Sequence, residues 1–80
     1  MTLLTTANCD LCQQAKAVLA RLGTEFALAV EEVDLGGERG RALVESAGIV
    51  FPPGVLLDGE AFSYGRLSER KLRRALTRAD

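Results

Sequence analysis

The 80-residue sequence contains no histidine and no tryptophan. Without histidine, the chain has no imidazole for acid–base catalysis and cannot form histidine-containing metal sites by itself. It also lacks an apolar run near the roughly 20 residues that cross a bilayer. Its start, MTLLTTANCD, has neither the basic nor the long apolar segment of a signal peptide. We therefore expect a cytoplasmic protein without membrane contact, whose disulfides are transient.

Length and composition predict one folded domain over residues 1–80. Hydrophobic residues make up 48% of the chain and charged residues 26%, as is usual for globular proteins. The net charge of −1 is unevenly spread: residues 1–60 carry 4 basic and 9 acidic side chains, whereas residues 61–80 carry 6 and 2. This basic end could contact nucleic acid or another anionic partner, but the solvated face of an amphipathic helix is the favoured interpretation. We expect no nucleic-acid partner.

The spacing of apolar residues in the first half of the chain predicts strand, helix and strand. TLLTT (2–6) is short, apolar and β-branched, and predicts a buried strand. From Leu11 to Leu22 the apolar positions follow a helical period that stops at Gly23, a residue favoured at helix ends. Alternating apolar residues in 25–35 predict a second strand, interrupted near its two glutamates.

The second half of the chain predicts a helix, a hairpin and a last helix. Residues 36–48 lie between glycines and predict a short helix, while Asp58-Gly59 predicts a tight turn within a hairpin over 51–65. Ser68 is placed to cap a helix. The buried stripe of that helix should be Leu72, Ala75, Leu76 and Ala79. The predicted fold is therefore an α/β arrangement in the order β-α-β-α-β-β-α, a four-stranded mixed sheet flanked by three helices.

Both cysteines lie at the front of the first predicted helix, in NCDLC. Cys9 and Cys12 are three positions apart, on one helix face and close enough to form a disulfide. The helix N-terminus favours the thiolate of Cys9, whereas the neighbouring Asp10 opposes it. Since only a thiolate attacks a disulfide, this placement favours Cys9 as the nucleophile and Cys12 as the resolving thiol.

Two other interpretations of the cysteine pair remain open. A structural metal site needs four ligands, so carboxylates or a second chain would have to complete it. Alternatively, two cysteines can simply fill a core as small apolar residues. A Cys-x-x-Cys motif at a strand-to-helix junction favours the redox interpretation over both, and we expect no bound metal.

Two segments carry a resemblance to a known family: TTANCDLC, and FPPGVLLDGEAFSYGRLSERKL. The second matches the family in the spacing of Pro53, Asp58, Gly59 and Gly65. The chain resembles the glutaredoxin-like branch of the thioredoxin fold, including the small bacterial hydrogen donors of ribonucleotide reductase. The resemblance implies a thiol-disulfide oxidoreductase without a cofactor. We expect a monomer that reduces protein disulfides, or mixed disulfides with a low-molecular-weight thiol, and that an external reductant resets.

The resemblance also implies roles for residues near the cysteines. Pro53 matches the family's cis-proline beside the dithiol, although the two prolines could instead form a stiff trans connector. Pro52 stands where the family binds substrate through its backbone, yet proline has no N–H to donate. Gly65 corresponds to a glycine of the family's substrate-binding element. Apart from the resemblance, Arg66 and the N-terminus of the last helix are suited to hold a carboxylate. Tyr64 either shields the thiols or packs against the helix.

Two features of the sequence depart from what the resemblance implies. The Gly-Gly-acid element that holds glutathione in the family is replaced by SYGRLSE, so we do not expect glutathione to be the natural partner. The motif itself, Cys-Asp-Leu-Cys, has no internal aromatic residue. The alternative function is a non-enzymatic thioredoxin-fold module that senses redox state or binds a partner, and a third hypothesis is a metal-bridged dimer.

Overall fold

The computed structural model describes residues 1–78, in which three helices flank a four-stranded mixed sheet. The strands are β1 (Thr2–Thr5), β2 (Glu31–Asp34), β3 (Gly54–Leu57) and β4 (Glu60–Tyr64), and the helices are α1 (Asp10–Leu22), α2 (Glu38–Ala47) and α3 (Glu69–Arg78). The sheet order is β2-β1-β3-β4, with β1 parallel to β2 and the other pairs antiparallel. This is the predicted thioredoxin-like α/β fold.

Alternation along the two central strands divides the core between the faces of the sheet. Leu3 and Val55 belong to a cluster with four buried residues of α1, from Ala15 to Leu22, and with Leu72 of α3. Leu4 and Leu56 point to the opposite face, where the half-buried residues of α2 cover them. Successive residues of a strand face opposite ways, so two short apolar strands supply both cores. Helices α1 and α3 therefore share one face of the sheet, and α2 covers the other.

The predicted strand over 25–35 is wrong for its first half, because only Glu31–Asp34 forms β2. The amides of Glu25 and Phe26 donate to the carbonyl of Leu22, at 3.0 and 2.9 Å, and so extend the end of α1. Phe26 and Leu28 still pack against the core, but from a loop outside the sheet. The alternation of apolar residues correctly indicates that Phe26 and Leu28 are half-buried, but Val30 is 42% exposed and residues 25–30 are not part of the sheet.

The three described helices are short, with 13 residues in α1 and 10 in each of α2 and α3. None of those within residues 1–78 is long and apolar enough to pass through a bilayer. The apolar stripe predicted for α3 is confirmed at Leu72, which is fully buried, and at Leu76, which packs against the same cluster. The expected place of Ala79 in that stripe lies outside the described residues.

The predicted cap of α3 is present, and its removal should destabilise the protein modestly. The Ser68 hydroxyl oxygen accepts a hydrogen bond from the amide of Lys71 at 3.2 Å. We expect Ser68→Ala to lower the free energy of unfolding by about 1 kcal/mol in urea denaturation. Ser46→Ala, in the exposed part of α2, is the matched control and should change it by less than about 0.5 kcal/mol. Equal effects in both variants would show that the cap does not stabilise α3.

Candidate active site

Cys9 and Cys12 form a disulfide at the N-terminus of α1, with their Cα atoms 5.2 Å apart. Cys9 is the N-cap residue, in extended conformation, and its sulfur accepts a hydrogen bond from the amide of Cys12 at 3.1 Å. Its side chain is partly exposed, whereas Cys12 has 0% exposure. The two sulfurs therefore differ in access: an incoming disulfide reaches Cys9 first.

The turn between β1 and α1 places Cys9 at the helix end. Asn8 adopts a left-handed conformation, with φ of 55°, which asparagine tolerates better than most residues. The chain then enters α1, where the Cys9 carbonyl accepts the amide of Gln13 at 3.2 Å. The unpaired amides of a helix N-terminus carry a partial positive charge, which stabilises a thiolate on the Cys9 sulfur.

One cation lies near the motif along α1, but it is already engaged. The ammonium group of Lys16, one turn beyond Cys12, is 3.0 Å from a carboxylate oxygen of Glu32 in β2. Hydrogen bonds from Lys16 and then from Thr5 hold the pKa of the Glu32 carboxyl below its usual range. Glu32 therefore balances the charge of Lys16, and the helix N-terminus supplies a partial positive charge at Cys9.

The proline pair and Gly65 lie together at the end of the sheet from which the cysteine turn departs. The Pro52–Pro53 bond is cis, the geometry that the resemblance implies. Pro53 is fully buried and precedes Gly54, which pairs with Leu4 near the carboxyl end of β1. The Pro53 carbonyl accepts a hydrogen bond from the amide of Gly65 at 2.9 Å. This bond ties the proline loop to the segment after β4.

Tyr64 contacts an aromatic residue that the sequence analysis missed. Its ring meets the ring of Phe51 edge to face, with centroids 5.2 Å apart. Phe51 and Tyr64 remain 50% and 45% exposed. Gly65 permits this arrangement, because a Cβ atom there would lie 2.6 Å from the Phe51 ring, and its φ of 76° disfavours other residues. The signal in the sequence was an aromatic residue immediately before the proline pair.

Arg66 lies in a cleft of about 470 Å³ between β4 and α3, together with Tyr64 and basic residues of α3. The guanidinium group is exposed, as a carboxylate ligand requires. Within residues 1–78, no three histidine, cysteine, aspartate or glutamate side chains come together as metal ligands. The structure joins Pro53 and Gly65 by a hydrogen bond, and Pro52, Tyr64 and Arg66 adjoin these two residues in the chain.

The sheet order, the dithiol at the start of α1 and the cis-proline define a protein of the thioredoxin fold with a Cys-x-x-Cys motif. Residues 1–77 match the model of the glutaredoxin-like domain family (DUF836), and the chain belongs to that family. Searches of curated proteins and of solved structures found no significant match. The family and the cysteine pair together indicate thiol redox chemistry.

Proposed function

We propose that this protein is a dithiol-disulfide oxidoreductase. The observation that carries the proposal is the asymmetric pair at the start of α1, with Cys9 accessible at the N-cap and Cys12 buried behind it. An accessible thiolate is suited to attack, and a buried neighbour is suited to resolve the resulting intermediate without itself meeting other disulfides. Membership of the glutaredoxin-like family supports the same chemistry.

The proposed reaction transfers two electrons in two exchange steps. The Cys9 thiolate attacks one sulfur of the substrate disulfide, the substrate S–S bond breaks, and the departing sulfur takes up a proton from water. A mixed disulfide now joins Cys9 to the substrate. Cys12, after losing its proton, attacks the Cys9 sulfur and releases the second substrate thiol. The Cys9–Cys12 disulfide remains, and an external thiol reductant returns the pair to the dithiol form by the reverse exchanges.

The proline loop and the end of β4 are the proposed substrate-binding wall. Pro52 offers a carbonyl but no N–H, so it can accept a hydrogen bond from an extended substrate and cannot donate one. Pro53 and Gly65 fix the shape of this wall through their hydrogen bond. Tyr64 supplies an exposed apolar contact, and Arg66 is available for a carboxylate.

Partner, compartment and oligomeric state belong to the same proposal. We propose a monomer that acts in the cytoplasm, where a pool of reducing thiols can reset the disulfide. Its substrates are disulfide-containing proteins or mixed disulfides with a low-molecular-weight thiol. Thiol-disulfide exchange at the cysteine pair needs no metal or organic cofactor.

Catalytic turnover tests the proposal against a redox-sensing module. With an excess of dithiol reductant, an oxidoreductase reduces many equivalents of insulin disulfide for each protein molecule, and the rate scales with protein concentration. A sensor that does not turn over would leave the rate of insulin reduction at that of the dithiol reductant alone. A rate equal to this background at every protein concentration would therefore contradict the proposed function.

Glutathione mixed disulfides should be poor substrates compared with protein disulfides. The Gly-Gly-acid element is absent from SYGRLSE, and Pro52 lacks the backbone donor. One lost hydrogen bond in the transition state corresponds to about a tenfold lower kcat/KM. The measurement compares steady-state reduction of two substrates: a peptide joined by a disulfide to glutathione, and the same peptide joined by a disulfide to a second peptide. A clear preference for the glutathione adduct would overturn this expectation.

A further inference from the structure

The cleft between β4 and α3 is lined by an unusual set of charges. Among the described residues 1–78, its lining contains four basic side chains and no acidic one. They are Arg66, Lys71, Arg74 and Arg78. Lys71, Arg74 and Arg78 follow one another at helical spacing along a single flank of α3, which we call the basic flank. None of the four forms an ion pair with a carboxylate of residues 1–78.

On the opposite flank of α3, by contrast, a basic side chain is paired with carboxylates of the same chain. Arg73 pairs with Glu25 and, at 3.3 Å, with Glu69. Glu69 also accepts a hydrogen bond from Arg21 of α1 at 2.7 Å, and this bond holds the pKa of its carboxyl below the usual range. Arg73 is therefore matched by carboxylates of the chain itself, whereas the four cations of the cleft have no such partner within residues 1–78.

The cleft also runs along an open edge of the sheet that leads to the proposed site. β4 is the edge strand, and its three consecutive residues Phe62, Ser63 and Tyr64 line the cleft. Tyr64 is followed by Gly65, whose amide is bonded to Pro53 in the substrate-binding wall. An extended chain that lies in the cleft can use the strand edge and the basic flank at once, and its end would reach the proposed substrate-binding wall.

We propose that this cleft binds an extended acidic segment of the disulfide partner, close in sequence to the disulfide that Cys9 attacks. This inference rests on the proposed function and names the class of partner. A peptide segment fits better than a nucleic acid, because residues 1–60 carry five more acidic than basic side chains and would repel a long polyanion. A short acidic segment meets only the positive cleft. The basic residues of the last helix then raise the rate of productive encounter.

Binding is the first test, and it does not depend on redox chemistry. A fluorescently labelled, cysteine-free peptide rich in glutamate is titrated with the Cys9→Ser/Cys12→Ser protein at low ionic strength, beside a glutamine-substituted peptide. We expect roughly tenfold tighter binding of the acidic peptide, lost when the salt concentration rises to about 0.5 M, because such pairs are screened. Lys71→Glu/Arg74→Glu should abolish the preference.

A charge-matched variant controls for the change in net charge. Arg41→Glu/Arg70→Glu alters the charge by the same amount at exposed positions outside the cleft, and it should keep the preference. The proposal would be overturned if the wild-type cleft bound the acidic and the glutamine-substituted peptide equally well. It would also be overturned if Arg41→Glu/Arg70→Glu weakened the preference for the acidic peptide as much as Lys71→Glu/Arg74→Glu does. A third contrary result would be that the protein binds a single-stranded oligonucleotide through Lys71 and Arg74 in a salt-sensitive way, yet shows no preference between the two peptides.

The second test links the cleft to catalysis in the protein with both cysteines. The same two peptide sequences are placed beside a disulfide, and the acidic substrate should be reduced with roughly tenfold higher kcat/KM. Reduction of both substrates at one rate would contradict the role of the cleft while leaving the oxidoreductase function intact. Acidic-peptide binding without any reduction would instead contradict the proposed function and leave the cleft as a binding site.

Discussion

Replacing Cys9 with serine should lower the rate of disulfide reduction by roughly a thousandfold or more, because the nucleophile is lost. A serine hydroxyl is not ionised at neutral pH and does not attack a disulfide sulfur. Cys12 cannot take over this role, since it is fully buried behind the N-cap position. The measurement is steady-state reduction of a protein disulfide with an excess of dithiol reductant.

Cys12→Ser is the matched variant, because it changes the same atom three residues further along α1. Its Cys9 thiolate still attacks, but no resolving thiol follows, so a mixed disulfide with the substrate should accumulate and be visible by mass spectrometry. Limiting iodoacetamide should label Cys9 before Cys12 in the reduced wild-type protein. Preferential labelling of Cys12, or a trapped adduct in Cys9→Ser instead, would reverse the assigned roles.

Gly40→Ala should destabilise the protein by about 2 to 3 kcal/mol, the usual cost of forcing extra volume into a closely packed site. Helix propensity alone predicts the opposite, since alanine is favoured over glycine inside a helix by about 1 kcal/mol. Gly40 is buried in α2, where a Cβ atom would overlap the backbone oxygen of Asp34 and lie 2.8 Å from its carbonyl carbon. Backbone atoms at the end of β2 cannot move aside as a flexible side chain would.

Urea denaturation of the wild type, Gly40→Ala and Gly36→Ala distinguishes destabilisation by steric overlap from stabilisation by helix propensity. Gly36→Ala is the control, because the nearest atom to a Cβ there is a side-chain oxygen of Asp34 at an ordinary 3.4 Å. It should change the free energy of unfolding by less than about 0.5 kcal/mol. A Gly40→Ala protein as stable as the wild type, or more stable, would show that α2 and β2 are not packed as closely as the structure has them.

The elements whose signals are local in the chain were predicted well. The helical period from Leu11 to Leu22 and its end at Gly23 correspond to α1. The Asp58-Gly59 turn joins β3 and β4, with both residues at positive φ. Ser68 caps α3 through its own side chain. Each of these features depends on residues within a few positions of one another, so the sequence alone was sufficient to predict them.

Features that depend on distant contacts were missed or misjudged. The alternation in residues 25–35 resulted from burial of Phe26 and Leu28 by the core, and could not show that the amides of the segment bond to the end of α1. The contact between Phe51 and Tyr64 joins residues thirteen positions apart. No local pattern distinguishes such a pair from two exposed aromatic residues.

The sequence by itself determined the fold class and the dithiol, because apolar periodicity and a Cys-x-x-Cys motif at a strand-to-helix junction are properties of short segments. Tertiary structure alone decided which charges are matched. Arg73 and the residues of the basic flank are indistinguishable in ERKLRRALTR, but Arg73 faces the carboxylate of Glu25 whereas Lys71 and Arg74 face β4. Gly40, which counts against a helix in the sequence, is the residue that lets α2 approach Asp34. The reason is the same in both cases: the neighbours that fix each role come from segments far away in the chain, and packing of the helices on the sheet brings them together.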